Sequence, residues 1–271
     1  MRRAAAFLIL AASAAPAVAG PQLVPHRAVY DLALDKASDR SGITGLAGRM
    51  VYEFNGSPCE GYTVNFRFVT QIDTRDVSRM TDQQTTTFED GEGKNFSFVT
   101  KSYVDSSLDK ELRGTATKEP NGLHVKIEKP EKESLELAST QFPTQHLLEL
   151  LGKADKGENF FETTLFDGSE DGDRVMTTTV VVGKKAEPKA DDPEIKADLK
   201  LLGKDSFWPV DIAYFDMHDD GGEELPEYRI SFKLHPNGVT RDLVMDYGDF
   251  SMKGKLVNLA LLPEPKSCPQ K

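Results

Sequence analysis

Past its first twenty residues, this sequence keeps a period of two. Ala28, Tyr30, Leu32 and Leu34 alternate with Val29, Asp31, Ala33 and Asp35. Tyr228, Ile230, Phe232 and Leu234 alternate with Arg229, Ser231, Lys233 and His235, and the same spacing recurs at Val64, Phe66, Phe68 and at Leu243, Met245, Tyr247. Alternation of this kind puts one side of a strand on a core and the other in water. Turn dipeptides punctuate it: Asn55-Gly56, Asn121-Gly122, Asp167-Gly168, Asp171-Gly172 and Asn237-Gly238. About a dozen or more strand segments at such short spacing predict a mainly β chain, an antiparallel barrel or sandwich. No βαβ alternation is visible, so a Rossmann-type parallel sheet is not expected.

One stretch breaks the period. After Phe142-Pro143, residues 144–153 read as an amphipathic helix with Leu147, Leu148, Leu150 and Leu151 clustered, and with Gly152 or Gly157 near the stop. A lone helix in an antiparallel sheet protein plugs a barrel end or covers an open edge. The run from Gly183 to Glu194 (GKKAEPKADDPE) is the best candidate break. The strand pattern is alike on both sides of it, so it reads as a long hairpin loop within one domain spanning 20–271, not as a linker.

Residues 1–19 read as an export signal. Arg2 and Arg3 precede an apolar stretch from Ala4 to Ala15, and Ala17-Val18-Ala19 supplies the small-x-small cleavage pattern. The apolar run is too short for a permanent transmembrane helix, and Gly20 stands where a lipoprotein would carry its acylated cysteine. The expected location is the periplasm. Losing Arg2 and Arg3 with the signal moves the formal charge of -11 to -13. Such acidity argues against nucleic acid, whose binding rests on Lys/Arg neutralisation of phosphate, and against adsorption to anionic headgroups. In an oxidising compartment two cysteines more often form a disulfide than a metal or catalytic pair. Cys59 sits in a turn and Cys268 in a Pro-flanked tail, neither a core-like place for a free thiol.

Candidate chemistry is sparse. Asp167, Asp171 and Asp173, in the run DGSEDGD, alternate with glycines and are weak candidates for a hard cation. The EF-hand spacing fails, because the twelfth position is Thr178, and a solvated hairpin loop accounts for the cluster. A second acidic loop, Asp216 to Glu224, carries His218 and would suit a transition metal, but its Gly-Gly flexibility favours a plain charged turn. No G-x-S-x-G elbow, H-E-x-x-H helix or glycine-rich phosphate loop is present; no enzymatic activity and no cofactor are expected. Phe207 and the single tryptophan, Trp208, form an aromatic pair at a strand start, a candidate surface for a ligand or partner and otherwise ordinary core.

These segments, taken in order, resemble a known family. His26 to Tyr30, Met50 to Phe54 ahead of Cys59-Glu60-Gly61-Tyr62, Thr85 to Glu89, Asp167-Gly168-Ser169, Trp208-Pro209-Val210 and the run from Asn237 through Leu261 are similar to the EipB family of bacterial cell-envelope integrity proteins, formerly a domain of unknown function. The resemblance covers about residues 23–268. It implies a periplasmic protein built as one antiparallel sheet curled into an open, spiral-like β-barrel with one short helix. It also implies a disulfide, here Cys59 with Cys268, and a role in keeping the envelope intact under stress. It carries no catalytic residue. The function expected is therefore non-enzymatic binding of another envelope component, whether protein, lipid or peptidoglycan. The alternatives are a carrier of an apolar ligand inside the barrel and a metal-dependent envelope hydrolase.

Overall fold

The structure is a computed structural model. It describes residues 22–169, 171–189, 191, 192, 194, 202, 206–216, 225–265 and 268. The export signal expected at residues 1–19 lies outside the described residues, as does His218.

Fourteen strands form a single antiparallel sheet: β1 (His26–Ala37), β2 (Ile43–Ser57), β3 (Gly61–Thr74), β4 (Ser78–Glu89), β5 (Asn95–Val104), β6 (Ser107–Glu119), β7 (Gly122–Lys129), β8 (Glu133–Leu137), β9 (Phe160–Leu165), β10 (Met176–Val182), β11 (Trp208–Phe215), β12 (Tyr228–Leu234), β13 (Thr240–Asp246) and β14 (Phe250–Leu261). Among the described residues one α-helix, α1 (Pro143–Asp155), lies between β8 and β9. The order across the sheet is β8-β7-β6-β5-β4-β3-β2-β1-β14-β13-β12-β11-β10-β9. Two meanders are thus fused where the first strand meets the last, with Tyr30 opposite Leu256 and also opposite Met50. Antiparallel neighbours need only a direct connection, short along β2 to β8 and longer between β10 and β11 and between β11 and β12. The pairing of β1 with β14 is the one long-range closure.

The sheet does not close on itself: β8 and β9 are its two ends. The segment ahead of α1 partly covers the β9 edge. Gln141 bridges to Leu165, the N–H of Phe166 donates to the Gln141 carbonyl at 3.0 Å, and the Gln141 amide donates to Thr163 Oγ1 at 2.6 Å. Edge strands left bare invite pairing with other chains. Beyond β9 the chain tucks inside the opposite end of the sheet. Phe166 packs with Phe96, Phe98 and Phe142, the Phe96 and Phe142 rings stacked at 5.0 Å. Gly168, with φ +68°, passes so close to Phe98 that a Cβ there would fall 2.5 Å from its ring. Only glycine suits both the left-handed backbone and that approach. This inward tuck gives the sheet its spiral form.

The expected helix is present and plugs one end of the barrel. Leu150, Leu151 and Ala154 join Phe54, Phe161, Val180 and Trp208 in one buried cluster. Of the two glycines offered as its stop, Gly157 ends it and Gly152 lies within it. Its first turn lacks a local side-chain cap, since Phe142 stands at the N-cap. The cap comes from β4: Glu89, 2% exposed, accepts the amide N–H groups of Thr144 at 2.8 Å and Gln145 at 3.1 Å. A second cluster, around Tyr30, Met50, Leu243, Met252 and Leu256, fills the β1–β2–β13–β14 wall, and a third lies under β5–β7.

One local expectation is corrected. Asn55-Gly56 is not the turn between β2 and β3: both residues remain paired, Gly56 with Tyr62, and the chain reverses over residues 58–60. The 183–194 run lies between adjacent antiparallel strands, β10 and β11, as a hairpin loop would. Glu194 at its end is 2% exposed and accepts the amide N–H groups of Asp242 and Leu256 where β13 and β14 diverge. Glu194 and Asp192 both accept hydrogen bonds from Arg241, which is fully buried.

Candidate functional site

The alternation of β4 differs in kind from that of its neighbours. Register places Gln83 opposite Phe68, Thr85 opposite Phe66 and Thr87 opposite Val64, on the side that faces the barrel interior. That side of β4 carries Thr81, Gln83, Thr85 and Thr87, with no apolar residue. The threonines satisfy one another laterally, Thr70 Oγ1 to Thr81 Oγ1 at 2.7 Å and Thr85 Oγ1 to Thr100 Oγ1 at 3.0 Å. Of these four, Gln83 lines a cavity of about 470 Å³. That is within the size range of small-molecule sites, which are mostly apolar with a few placed polar groups.

Met50, Phe66 and Phe68 form one wall of the cavity, and Ile230, Leu243 and Met245 another. Its remaining boundary is aromatic and charged. Tyr214, Tyr228 and Tyr247, at corresponding ends of β11, β12 and β13, stack as a ladder, with centroids 4.3 Å apart for the first pair and 5.9 Å for the second. Burial holds the Tyr214 hydroxyl up at about 12 and that of Tyr228 well above its ordinary value, and the nearby Asp167 carboxylate pushes both further. Both phenols therefore stay neutral at physiological pH. Arg174 donates to Asp216 at 2.5 Å and in bidentate fashion to Glu227 at 2.8 and 3.3 Å. Bidentate guanidinium–carboxylate geometry fixes all three side chains at the rim.

The residues singled out from sequence fall as follows. Asp167 lines the cavity, with its Oδ1 accepting the Ser169 N–H at 2.9 Å. Asp171 pairs outward with Lys110 at 2.7 Å, and Asp173 is exposed. The three carboxylates thus have separate surroundings, and among the described residues no three His, Cys, Asp or Glu side chains converge as metal ligands. Asp216 of the second acidic loop belongs to the Arg174 cluster. Phe207 and Trp208 do not form an exposed surface: they are 6% and 5% exposed. Trp208 opens β11 and packs in the helix-bearing core with Lys185 over its ring, while Phe207, just ahead of the strand and bridged to Ala186, lies under Lys233 and Arg241. Cys59 and Cys268 are joined, their Cα atoms 5.7 Å apart across 209 residues. The cavity residues Arg174, Tyr214, Tyr228 and Tyr247 were not singled out. Their only signal in the sequence is a tyrosine at the same end of three successive strands.

A family profile described as EipB-like matches residues 17–263. The chain belongs to the EipB-like family. Among relatives of this EipB-like chain, the cell envelope integrity protein EipB of Brucella abortus (strain 2308) is 56% identical over 257 residues, covering 94% of this chain and 90% of the relative. A solved crystal structure of a β-barrel-like protein of a domain of unknown function from Brucella abortus aligns with a TM-score of 0.84 at 58% identity, covering 89% of this chain and 99% of that one. The EipB-like sheet, with its inward tuck and single helix, is thus an open barrel of the kind the resemblance implies. Among the described residues no helix is long and apolar enough to cross a membrane.

Proposed function

We propose that this chain maintains cell-envelope integrity from the periplasm, without catalysis of its own, by binding another envelope component inside its curled sheet. The relation to a protein named for envelope integrity supports the process. The cavity of about 470 Å³, walled by Met50, Phe66, Phe68, Ile230, Leu243 and Met245, carries the binding part. Those walls present apolar surface in a place that close packing would otherwise fill. An apolar or partly apolar envelope molecule fits them better than a folded protein or a glycan, so the ligand-carrier form of the reading is preferred. The disulfide between Cys59 and Cys268 accords with an oxidising compartment.

The test is genetic and direct. A strain lacking this gene is challenged with detergents and cell-wall antibiotics, then complemented with the wild-type gene or with Met245→Trp, which fills the cavity. Sensitivity in the deletion, rescue by wild type and failure of Met245→Trp at equal protein level are the expected results. Tolerance equal to wild type in the deletion strain would end the reading. Full rescue by Met245→Trp would remove the cavity from it.

A further inference from the structure

The electrostatics of the cavity are lopsided, and this narrows what it takes. Its rim carries three carboxylates, Asp167, Asp216 and Glu227, against one guanidinium, Arg174. That guanidinium already donates to two of the three. The third, Asp167, lines the same cavity as Tyr214 and Tyr228. An aromatic ring presents a negative face, so a tyrosine ladder favours a cation and disfavours an anion. Tyr247 stacks on Tyr228 and also on Phe250, at 5.0 Å, and keeps 40% of its surface exposed, so the ladder is within reach of an arriving ligand. The apolar walls lie inward of this rim.

Resting on the reading of the cavity as the binding site, we propose that the ligand is an amphiphile whose hydrocarbon chain lies along Phe66, Phe68, Leu243 and Met245 and whose end carries a cationic nitrogen, an amine or quaternary ammonium, set against the tyrosine ladder and Asp167. A carboxylate- or sulfate-ended chain would place like charge beside Asp167 with Arg174 already engaged. A nitrogen cation meets the opposite situation: a carboxylate and an aromatic ladder at a partly desolvated rim, where its attraction to aromatic rings is strengthened.

The purified protein is titrated with dodecyltrimethylammonium, dodecylphosphocholine and dodecanoate, each below its micelle concentration, by calorimetry. Because the whole chain is acidic, surface adsorption of the cation is controlled by repeating the titrations with Met245→Trp and with Asp167→Asn. Asparagine at 167 keeps the acceptor for the Ser169 N–H. Expected are saturable binding of dodecyltrimethylammonium about tenfold tighter than dodecanoate, its loss in Met245→Trp, and a preference reduced about threefold in Asp167→Asn. Equal or tighter binding of dodecanoate overturns the cationic end while leaving the cavity as an apolar site. No saturable binding of any chain, or binding of all three unchanged in Met245→Trp, overturns both the proposal and the reading beneath it. The wild-type comparison of the three chains decides the end-group chemistry even if either variant misfolds.

Discussion

Glu89 caps a helix that begins more than fifty residues downstream of it: its carboxylate accepts the backbone N–H of Thr144 at 2.8 Å, with 2% of the residue exposed. The carboxylate of β4 thereby answers both the orphan amides and the positive end of the α1 dipole. It also fixes the plug against the barrel wall. Burial raises the Glu89 carboxyl above its ordinary value even against these hydrogen bonds, so desolvation is the larger effect.

Glu89→Ala leaves two buried amide groups without an acceptor and removes the only side chain that caps the helix start. A loss of about 1–3 kcal/mol is expected, read as a lower midpoint in urea with the slope unchanged. Glu89→Gln retains one acceptor oxygen and should fall between wild type and Ala. Equal midpoints for all three would show that α1 is held by its apolar face alone.

His146, on the buried side of α1, sets an acid limit. Its Nε2 lies 3.2 Å from Thr178 Oγ1, and that hydroxyl already donates to the Thr163 carbonyl, so the imidazole Nε2–H donates to it. Burial lowers its pKa from 6.5 to about 4, with Glu149 opposing weakly. A depressed folded-state value means that the unfolded chain binds the proton first. The stability contribution is complete above about pH 6.5 and drains away as pH falls towards 4. Between pH 7 and 5 the loss from this one group is about 2 kcal/mol. His146→Gln should lower the melting temperature at pH 7 yet flatten its fall between pH 7 and 5. A parallel fall in both proteins would assign the acid sensitivity elsewhere, His235 being the next buried imidazole held near 4.

The strands were legible because period two is a local property, and so was α1, whose leucines break that period. Register was not: nothing in His26 to Ala37 says that its partner is Phe250 to Leu261 and not another of the alternating runs. Asn55-Gly56 misled because a left-handed glycine serves a strand end as readily as a turn. Phe207 and Trp208, offered as a surface or as ordinary core, are core, because side-chain size alone does not tell a buried ring from an exposed one. The hardest feature to read is Glu194: twelve charged and small residues in a row mark a loop, and the buried cation that draws this carboxylate inward, Arg241, lies 47 positions further on. Besides its three tyrosines, the cavity left one trace, Gln83 of β4, where an apolar alternation should have continued.

The disulfide spans 209 residues, so it confines the unfolded chain far more than the folded one. The chain-entropy argument gives about 5 kcal/mol as an upper figure. Cys59→Ser, or reduction of the wild type, should lower the urea midpoint by a large fraction of its value without altering the β signal in far-ultraviolet circular dichroism. Because stability governs abundance, the variant should also accumulate to a lower level in cells. A reduced protein with an unchanged midpoint would show that β1–β14 pairing alone suffices to restrain the ends.

The last expectation concerns Arg241, whose side chain is fully buried on β13. Its Nε donates to His235 Nε2 at 3.0 Å, and one guanidinium nitrogen donates to Asp192 at 2.7 Å and to Glu194 at 3.2 Å. Glu194 in turn receives two backbone amides where β13 and β14 part, so the pair fastens the β10–β11 connection into the sheet. Removing one member of a buried charge cluster strands the others, and Arg241→Met should cost about 3–5 kcal/mol. Glu194→Gln placed in that background removes one of the stranded charges while keeping an oxygen for the Leu256 N–H. The double variant should therefore be less damaged than the two single variants summed, with a coupling of about 0.5–3 kcal/mol measured by urea denaturation. Strict additivity would mean that Arg241 and Glu194 act separately, and that the carboxylate holds the loop through the backbone amides alone.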